Sequence, residues 1–345
     1  MSEWTGLLES LIAIPSLSRE EGPAADFLQD WMSARGHAVH RTLHNLWCES
    51  EPPSGKPTLL LNAHIDTVKP SSGYTRDPFS PIREGDRIYG LGSNDDGGSL
   101  VCLLAAYEAL SLRSQPYRLV FSATAEEEVS GRNGIELIFP EVGPVSFGIV
   151  GEPTGMRMAL SEKGLMVLDC TARGKSGHAA RDEGVNAIYA AMDDIDWFRH
   201  FSGRVSPFLG EVRMSVTVIG AGEQHNVVPD QCRFVVDVRP NGMYSNEELL
   251  GIIRDHVRCE VVPRSTRLQG TSIPEDHPAV LRGKRMGLPA FGSPTLSNRA
   301  LCPFPTVKIG PGDSARSHTA DEYIRIPELE EGIRIYVELL DGLQI

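Results

Sequence analysis

"PTLLLNAHIDTV", residues 57–68, is apolar at every position from Leu59 to Leu61 and then turns to His64 and Asp66. A helix needs more length, and a strand with one wet face would alternate. The stretch therefore reads as a strand covered on both sides. "YRLVFSATA" (117–125) and "SFGIVGEP" (146–153) share the texture, and the helical "GGSLVCLLAAYEAL" (97–110) separates the first strand from the second. Buried strands alternating with helices predict an α/β fold, a three-layer domain around a mainly parallel sheet.

Upstream, Trp4, Leu7, Leu8, Leu11 and Ile12 recur at helical spacing, and Phe27, Leu28, Trp31 and Met32 form a second stripe that Gly36 ends. After Gly164 the texture changes. "LMVLDCTARG" (165–174) reads as a strand, "VNAIYAAMDDIDWFRHF" (185–201) as a helix, and "VRMSVTVIGAG" (212–222) and "CRFVVDVRP" (232–240) as strands. "SNEELLGIIRDHV" (245–257) and "RCEVVPRSTRL" (258–268) add a helix and a strand. The order βαββαβ predicts a ferredoxin-like unit. From Pro278 the first texture returns and ends in the helix "PELEEGIRIYVELLDGL" (327–343). The expected organisation is a first domain over 1–163 and 273–345, with a second domain, 164–272, inserted.

A chain of 345 residues is long enough for two cores, and its 41% hydrophobic and 23% charged content is that of an ordinary globular protein. A net charge of −13 argues against a nucleic acid or an anionic membrane as partner. No stretch approaches the roughly 20 apolar residues of a membrane span. "MSEWTGLLESLIAIP" lacks a basic n-region and carries Glu3 and Glu9, so it reads as a packing helix rather than a signal peptide. The six cysteines are scattered without a C-x-x-C, the pattern of free thiols in a reducing cytoplasm.

Histidines and acids collect where strands of the first domain should end, the edge at which open α/β sheets bind ligands. His64 and Asp66 are two apart on a strand and share a face, so the Asp can accept the ring N–H of the His. "YGLGSNDDGG" (89–98) approaches a dinucleotide fingerprint, but Asp95 stands at the third glycine and no acid follows about 20 positions on. Asp95 reads as a metal-bridging carboxylate or as a helix cap. Glu126, Glu127 and Glu128 end the strand of 117–125, Glu152 ends that of 146–153, and His318 follows a Gly-Pro-Gly turn. Taken singly, each has an ordinary solvated reading. Together, two histidines and three carboxylates with a further acid left over suit two divalent ions about 3.5–4 Å apart with one bridging Asp. Such ions supply the positive charge that three consecutive glutamates at a strand end require.

These motifs resemble the M20 metallopeptidase and deacylase family. "HID" (64–66), "GLGSND" (90–95), "EEE" (126–128), "GEPT" (151–154) and "SHTADEY" (317–323) occur in that family's order, as do "GKSGHAA" (174–180), "NVVPD" (226–230) and "DVR" (237–239). The likeness spans nearly the whole chain. The short lid, "EEEVSG" (126–131) and "QHNVVPD" (224–230) are most similar to the N-acyl-ornithine deacylases of arginine biosynthesis. One departure is "DGGS" after Asp95, where many members carry "MKGG"; it weakens the likeness to long-lid carboxypeptidases.

The resemblance implies a zinc-aminopeptidase-like catalytic domain, an inserted lid and dimerisation domain, and a cytoplasmic homodimer. It implies two divalent metal ions, zinc first and cobalt as the alternative. His64 and Glu152 would hold one, Glu128 and His318 the other, with Asp95 bridging. Asp66 would orient His64, Glu127 would be the general base for a metal-bridging water, and Glu126 would support the turn. His178 would stabilise the oxyanion from the neighbouring subunit; its other reading is a surface His in a glycine-rich turn. Asn226 and Arg239 would bind substrate polar groups and carboxylate, although a strand-end Arg is ordinarily a surface residue. The implied reaction is deacylation of an Nα-acyl-L-ornithine, acetylornithine first, by a metal-bridging hydroxide. Asp96, Asp182 and Glu183 are compatible with a cationic side chain. Arg316 either holds the second carboxylate of a succinyl group or pairs with Asp313 or Asp321. The rivals are desuccinylation of succinyl-ornithine or succinyl-diaminopimelate, a dipeptidase, and a binding protein on a degraded hydrolase fold.

Overall fold

The strand Thr58–His64 is buried at all seven positions. It lies between two parallel neighbours, Arg118–Thr124 on one side and Phe147–Val150 on the other. Thr306–Lys308 adds a further parallel strand beside Phe147–Val150. Antiparallel strands finish the sheet: Asn45–Glu49 against Arg118–Thr124, and His40–Thr42 beyond it. The helix Gly97–Ser111 is apolar all round because both its sides are covered: it packs on the central strand and beneath the helices Ser2–Ile12 and Ile326–Leu340. This is the three-layer α/β arrangement with a mainly parallel sheet that the apolar runs predict. Connections leave the central strand towards one neighbour while the other neighbour arrives later in the chain, so the carboxyl edge between Thr58–His64 and Phe147–Val150 is a switch point.

The computed structural model describes residues 1–345 apart from residue 182, and Asp182 thus lies outside the described residues. The chain divides into two compact units, one of Met1–Leu160, Ile273–Phe291 and Ser297–Ile345, the other of Ser161–Ser272 and Gly292–Leu296. The short return of Gly292–Leu296 to the second unit has no counterpart in the expected range 164–272.

The second unit is a four-stranded antiparallel sheet in the order Glu260–Pro263, Met166–Arg173, Gln231–Arg239, Arg213–Ala221. With the helices Ala187–His200 and Asn246–His256 this is the ferredoxin-like pattern. Its strands Met166–Arg173 and Gln231–Arg239 alternate buried and open positions, and Cys170, Phe198, Phe234, Leu249 and Ile253 share the core between sheet and helices. Asn186 and Ser245 cap the two helices by accepting the N–H groups of Ile188 and Glu248. None of the six cysteines is in a disulfide. No helix among the described residues is long and apolar enough to cross a membrane.

Candidate metal centre

His64 ends the central strand and is 2% exposed. Its Nδ1 lies 2.8 Å from the backbone carbonyl of Asp66. A carbonyl can only accept, so in the neutral ring Nδ1 carries the proton and Nε2 offers its lone pair to a cation. The expected contact with the Asp66 carboxylate is longer, at 3.5 Å. That carboxylate is engaged elsewhere: it accepts the N–H of Glu127 at 3.0 Å, the N–H of Glu128 at 3.1 Å and the Ser18 hydroxyl at 2.7 Å. Asp66 therefore orients His64 through its main chain and anchors, through its side chain, the turn that bears both glutamates.

Asp95 points one oxygen at each imidazole. Its Oδ1 is 3.2 Å from His64 Nε2 and its Oδ2 is 3.6 Å from His318 Nε2. His318 Nε2 also lies 3.0 Å from Glu128 Oε2. Donor atoms of His64, Glu127 and Glu152 fall within 4.8 Å of one another, as do those of His64, Asp95 and Glu128. Glu127 thus reaches the same space as the donors of His64 and Glu152. Asp95 is not a helix cap: the N-cap position of Gly97–Ser111 is Asp96, which makes no capping bond.

The strand ends bring these groups together at a cost in backbone strain. Glu126, Ser130 and His318 take the left-handed conformation without being glycine, with φ of 56°, 45° and 59°. Glu126 turns away from the centre and holds the turn shut, accepting the Asn133 side-chain amide at 2.8 Å. The Gly-Pro-Gly turn before His318 must approach closely. A Cβ at Gly310 would stand 2.5 Å from the Glu152 carbonyl, and one at Gly312 2.3 Å from Asn94 Oδ1. Asn94 ties that turn to the Asp95 loop, accepting the Asp313 N–H at 2.9 Å and donating to the Asp313 carbonyl at 3.1 Å.

The electrostatics describe a centre short of positive charge. Burial, with repulsion from Glu128, Asp66 and Asp95, pushes Glu127 up to about 8 against the pull of His64. Burial lifts Glu152 well above the carboxylate range, with the buried Lys308 ammonium opposing it. Burial lowers His64, but Asp66 and Asp95 more than reverse this and hold it well above its ordinary value. The contact with Glu128 raises His318 to about 9. Acids that keep protons beside histidines that keep theirs are what a cation site becomes when protons stand in for the cation. Imidazole nitrogens and carboxylate oxygens are a donor set that zinc accepts, and a carboxylate between two imidazoles is what a shared ligand requires. The residues present fit a pair of divalent ions.

Among the other expected site residues, Arg316 and Arg239 are already engaged. Arg316 does not hold a free guanidinium for a second substrate carboxylate, nor does its guanidinium pair with Asp313 or Asp321. Glu328 grips it at 2.7 and 2.8 Å, and it stacks 4.6 Å from the centre of the Tyr323 ring. Asp96 is 1% exposed and closed off from any cationic side chain, whereas Glu183 is exposed. In the second unit Arg239 is held by Asp237, two residues back on the same strand, at 2.7 and 3.0 Å. His178 and Asn226 meet there: His178 pairs in register with Val227, and Asn226 accepts the Ala179 N–H at 3.0 Å. Both are exposed. Ser18, Asn94 and Lys308 are contributors that sequence reading missed. Asn94 stands inside a quoted motif, but no spacing marks Ser18 or Lys308.

Comparison with known proteins agrees with this geometry. The profile of peptidase family M20/M25/M40 matches residues 60–342. A protein of Proteus mirabilis named acetylornithine deacetylase is 25% identical over 97% of this chain and 95% of its own. One of the same name from Myxococcus xanthus is 27% identical over 93% and 92%. Among solved structures, aminopeptidase PepT from Bacillus cereus superposes with a TM-score of 0.77 at 19% identity, covering 98% of this chain and 97% of that one. The Bacillus subtilis YXEP protein, described as a dinuclear metal-binding peptidase, gives 0.70 at 17% identity over 99% of both chains.

Proposed function

Because the chain belongs to peptidase family M20/M25/M40 and is a hydrolase, we propose that it cleaves a linear amide with two divalent cations, and that its substrate is an Nα-acyl-L-ornithine, the acetyl form first. The observation that carries this reading is the Asp95 carboxylate set between His64 and His318. His64 and Glu152 would hold one cation, Glu128 and His318 the other, and Asp95 both. Such a pair supplies Lewis acidity towards an amide carbonyl and lowers the pKa of a water to near neutrality. Glu127 takes the proton of the attacking water on its carboxylate and returns it to the departing nitrogen, a task its place beside the donors of His64 and Glu152 allows. Asp66 keeps Glu127 in place through the backbone N–H.

Support for the amino acid comes from the names carried by relatives at 25–27% identity and from the motifs by which this chain resembles N-acyl-ornithine deacylases. His178 and Asn226, joined on one ribbon of the second unit, are the residues this reading assigns to the oxyanion and to substrate polar groups, and Arg239 to the α-carboxylate. A homodimer through the second unit is part of the same reading. Its edge strand Arg213–Ala221 leaves Val218 and Ile219 58% and 56% exposed, and Tyr189 and Met192 are exposed on the helix Ala187–His200.

The test is kcat/KM of zinc-loaded protein on acetyl-, succinyl- and formyl-ornithine and on ordinary dipeptides. Acetyl-ornithine should lead, and Arg316→Ala should leave the order of acyl groups unchanged, because Glu328 already occupies that guanidinium. A succinyl preference would replace acetate and leave the deacylase; cleavage of dipeptides alone would overturn the substrate.

A further inference from the structure

"TADEY" (319–323) is the portion of the His318 motif that the metal ligands leave unused, and its Glu322 is 1% exposed. The Glu322 carboxylate faces the backbone of the loop Gly90–Asp95. Its Oε1 accepts the N–H of Asn94 at 2.8 Å and that of Asp95 at 2.9 Å, and its Oε2 accepts the N–H of Gly92 at 3.2 Å. The Glu322 carbonyl accepts the Gly90 N–H at 2.9 Å. One residue thus engages the main chain of Gly90, Gly92, Asn94 and Asp95.

Asp95 needs this hold more than the other donors do. His64 stands on a strand whose ladder fixes it, and the N–H groups of Glu127 and Glu128 are fixed by Asp66. Asp95 sits in a turn between the strand Arg87–Tyr89 and the helix Gly97–Ser111, where no ladder determines its position. Its carboxylate must nevertheless face two imidazoles at once. Glu322 lies four residues after His318, so one short segment carries the outer imidazole and grips the backbone of the shared carboxylate.

We propose that Glu322 is the positioning residue of the shared ligand: by accepting the Asp95 N–H it sets where that carboxylate stands between His64 and His318, and with it the affinity of the cation pair. The proposal rests on the two-cation reading above. Asp321, next in sequence, provides the contrast. Its carboxylate accepts the N–H groups of Thr75 and Arg76 and the Thr75 hydroxyl, gripping a loop that bears no ligand. A carboxylate serves all three N–H groups of the Asp95 loop, whereas a glutamine has one oxygen and must turn its NH2 towards a donor. Glutamine should therefore rescue in part and alanine not at all.

The experiment compares wild type, Glu322→Gln, Glu322→Ala and Asp321→Asn as full-length chains. It measures zinc affinity by competition with a chromophoric chelator and the visible spectrum of the cobalt-loaded form. Removing a group that orients a ligand typically weakens metal binding about 10–100-fold, and Glu322→Ala should fall in that range with a shifted cobalt spectrum. Glu322→Gln should lose less but remain clearly weaker than wild type, and Asp321→Asn should match wild type in both. If Glu322→Ala does not fold, Glu322→Gln decides. Wild-type affinity and spectrum in the glutamate variants, even with lowered thermal stability, would overturn the positioning role while leaving the cation pair intact. Failure of wild type to bind either metal would overturn the cation pair and this inference with it.

Discussion

The two imidazoles of the centre occupy opposite surroundings. His64 is 2% exposed at the end of a strand buried throughout, its ring aligned by a main-chain carbonyl. His318 is 53% exposed by side chain, sits in a loop with φ of 59°, and its Nε2 meets Glu128 and Asp95. The inner side is held by the same apolar packing that forms the sheet. The outer side is held by loops gripping one another through carboxylates and amides, with Asn94 and Glu322 as the fastenings. A rigid inner wall and a more open outer one suit a centre that must keep its charge geometry yet admit a substrate from solvent.

The largest effect tests the inner wall's chemistry. Glu127→Gln should retain its metal and lose about 10²–10⁴-fold in kcat, the usual cost of removing a general base. Near-normal turnover in the metal-replete variant would remove Glu127 from that role. Next comes the asymmetry itself, read from melting of chelated protein. His64→Ala leaves a buried gap and an unpaired Asp66 carbonyl, so it should destabilise by about 2–4 kcal/mol. His318→Ala should change stability by no more than about 0.5 kcal/mol, as exposed substitutions do. Both should weaken zinc binding. Equal losses of stability would break the comparison.

The smallest effect concerns pH. Burial raises Glu127 to about 8 and Asp96 to about 7. In each case the folded chain holds a proton that the unfolded chain has released, so stability is present below the unfolded pKa and is lost as pH rises through the folded one. Metal-free protein should therefore melt lower at pH 8 than at pH 5, by on the order of 5 °C. The lowered pKa values of Asp66 and Asp95 work in the other direction, but only below about pH 4. Zinc requires deprotonated ligands, so its stabilisation should grow over the same interval. A flat metal-free profile from pH 5 to 8 would contradict the charge-starved description of the centre.

Much of the architecture is legible in the chain. Uniform apolar runs at 59–61 and 119–121 can only be strands covered on both faces, and the alternation over 166–173 and 231–239 marks a sheet with one covered face. The acids and histidines at strand ends are equally readable, because only a few residue types can donate to a cation. What could not be read is who holds whom. Arg316 finds Glu328 rather than either nearby aspartate, the Asp66 carboxylate anchors two backbone N–H groups more closely than it meets the His64 ring, and Glu322 reaches a loop 228 residues earlier. Nor does any local signal send residues 292–296 back to the second unit. Periodicity and residue chemistry are properties of neighbouring positions and survive in a linear string. A hydrogen-bond partner is chosen by distance in space, which exists only once the sheet has brought its loops to one edge.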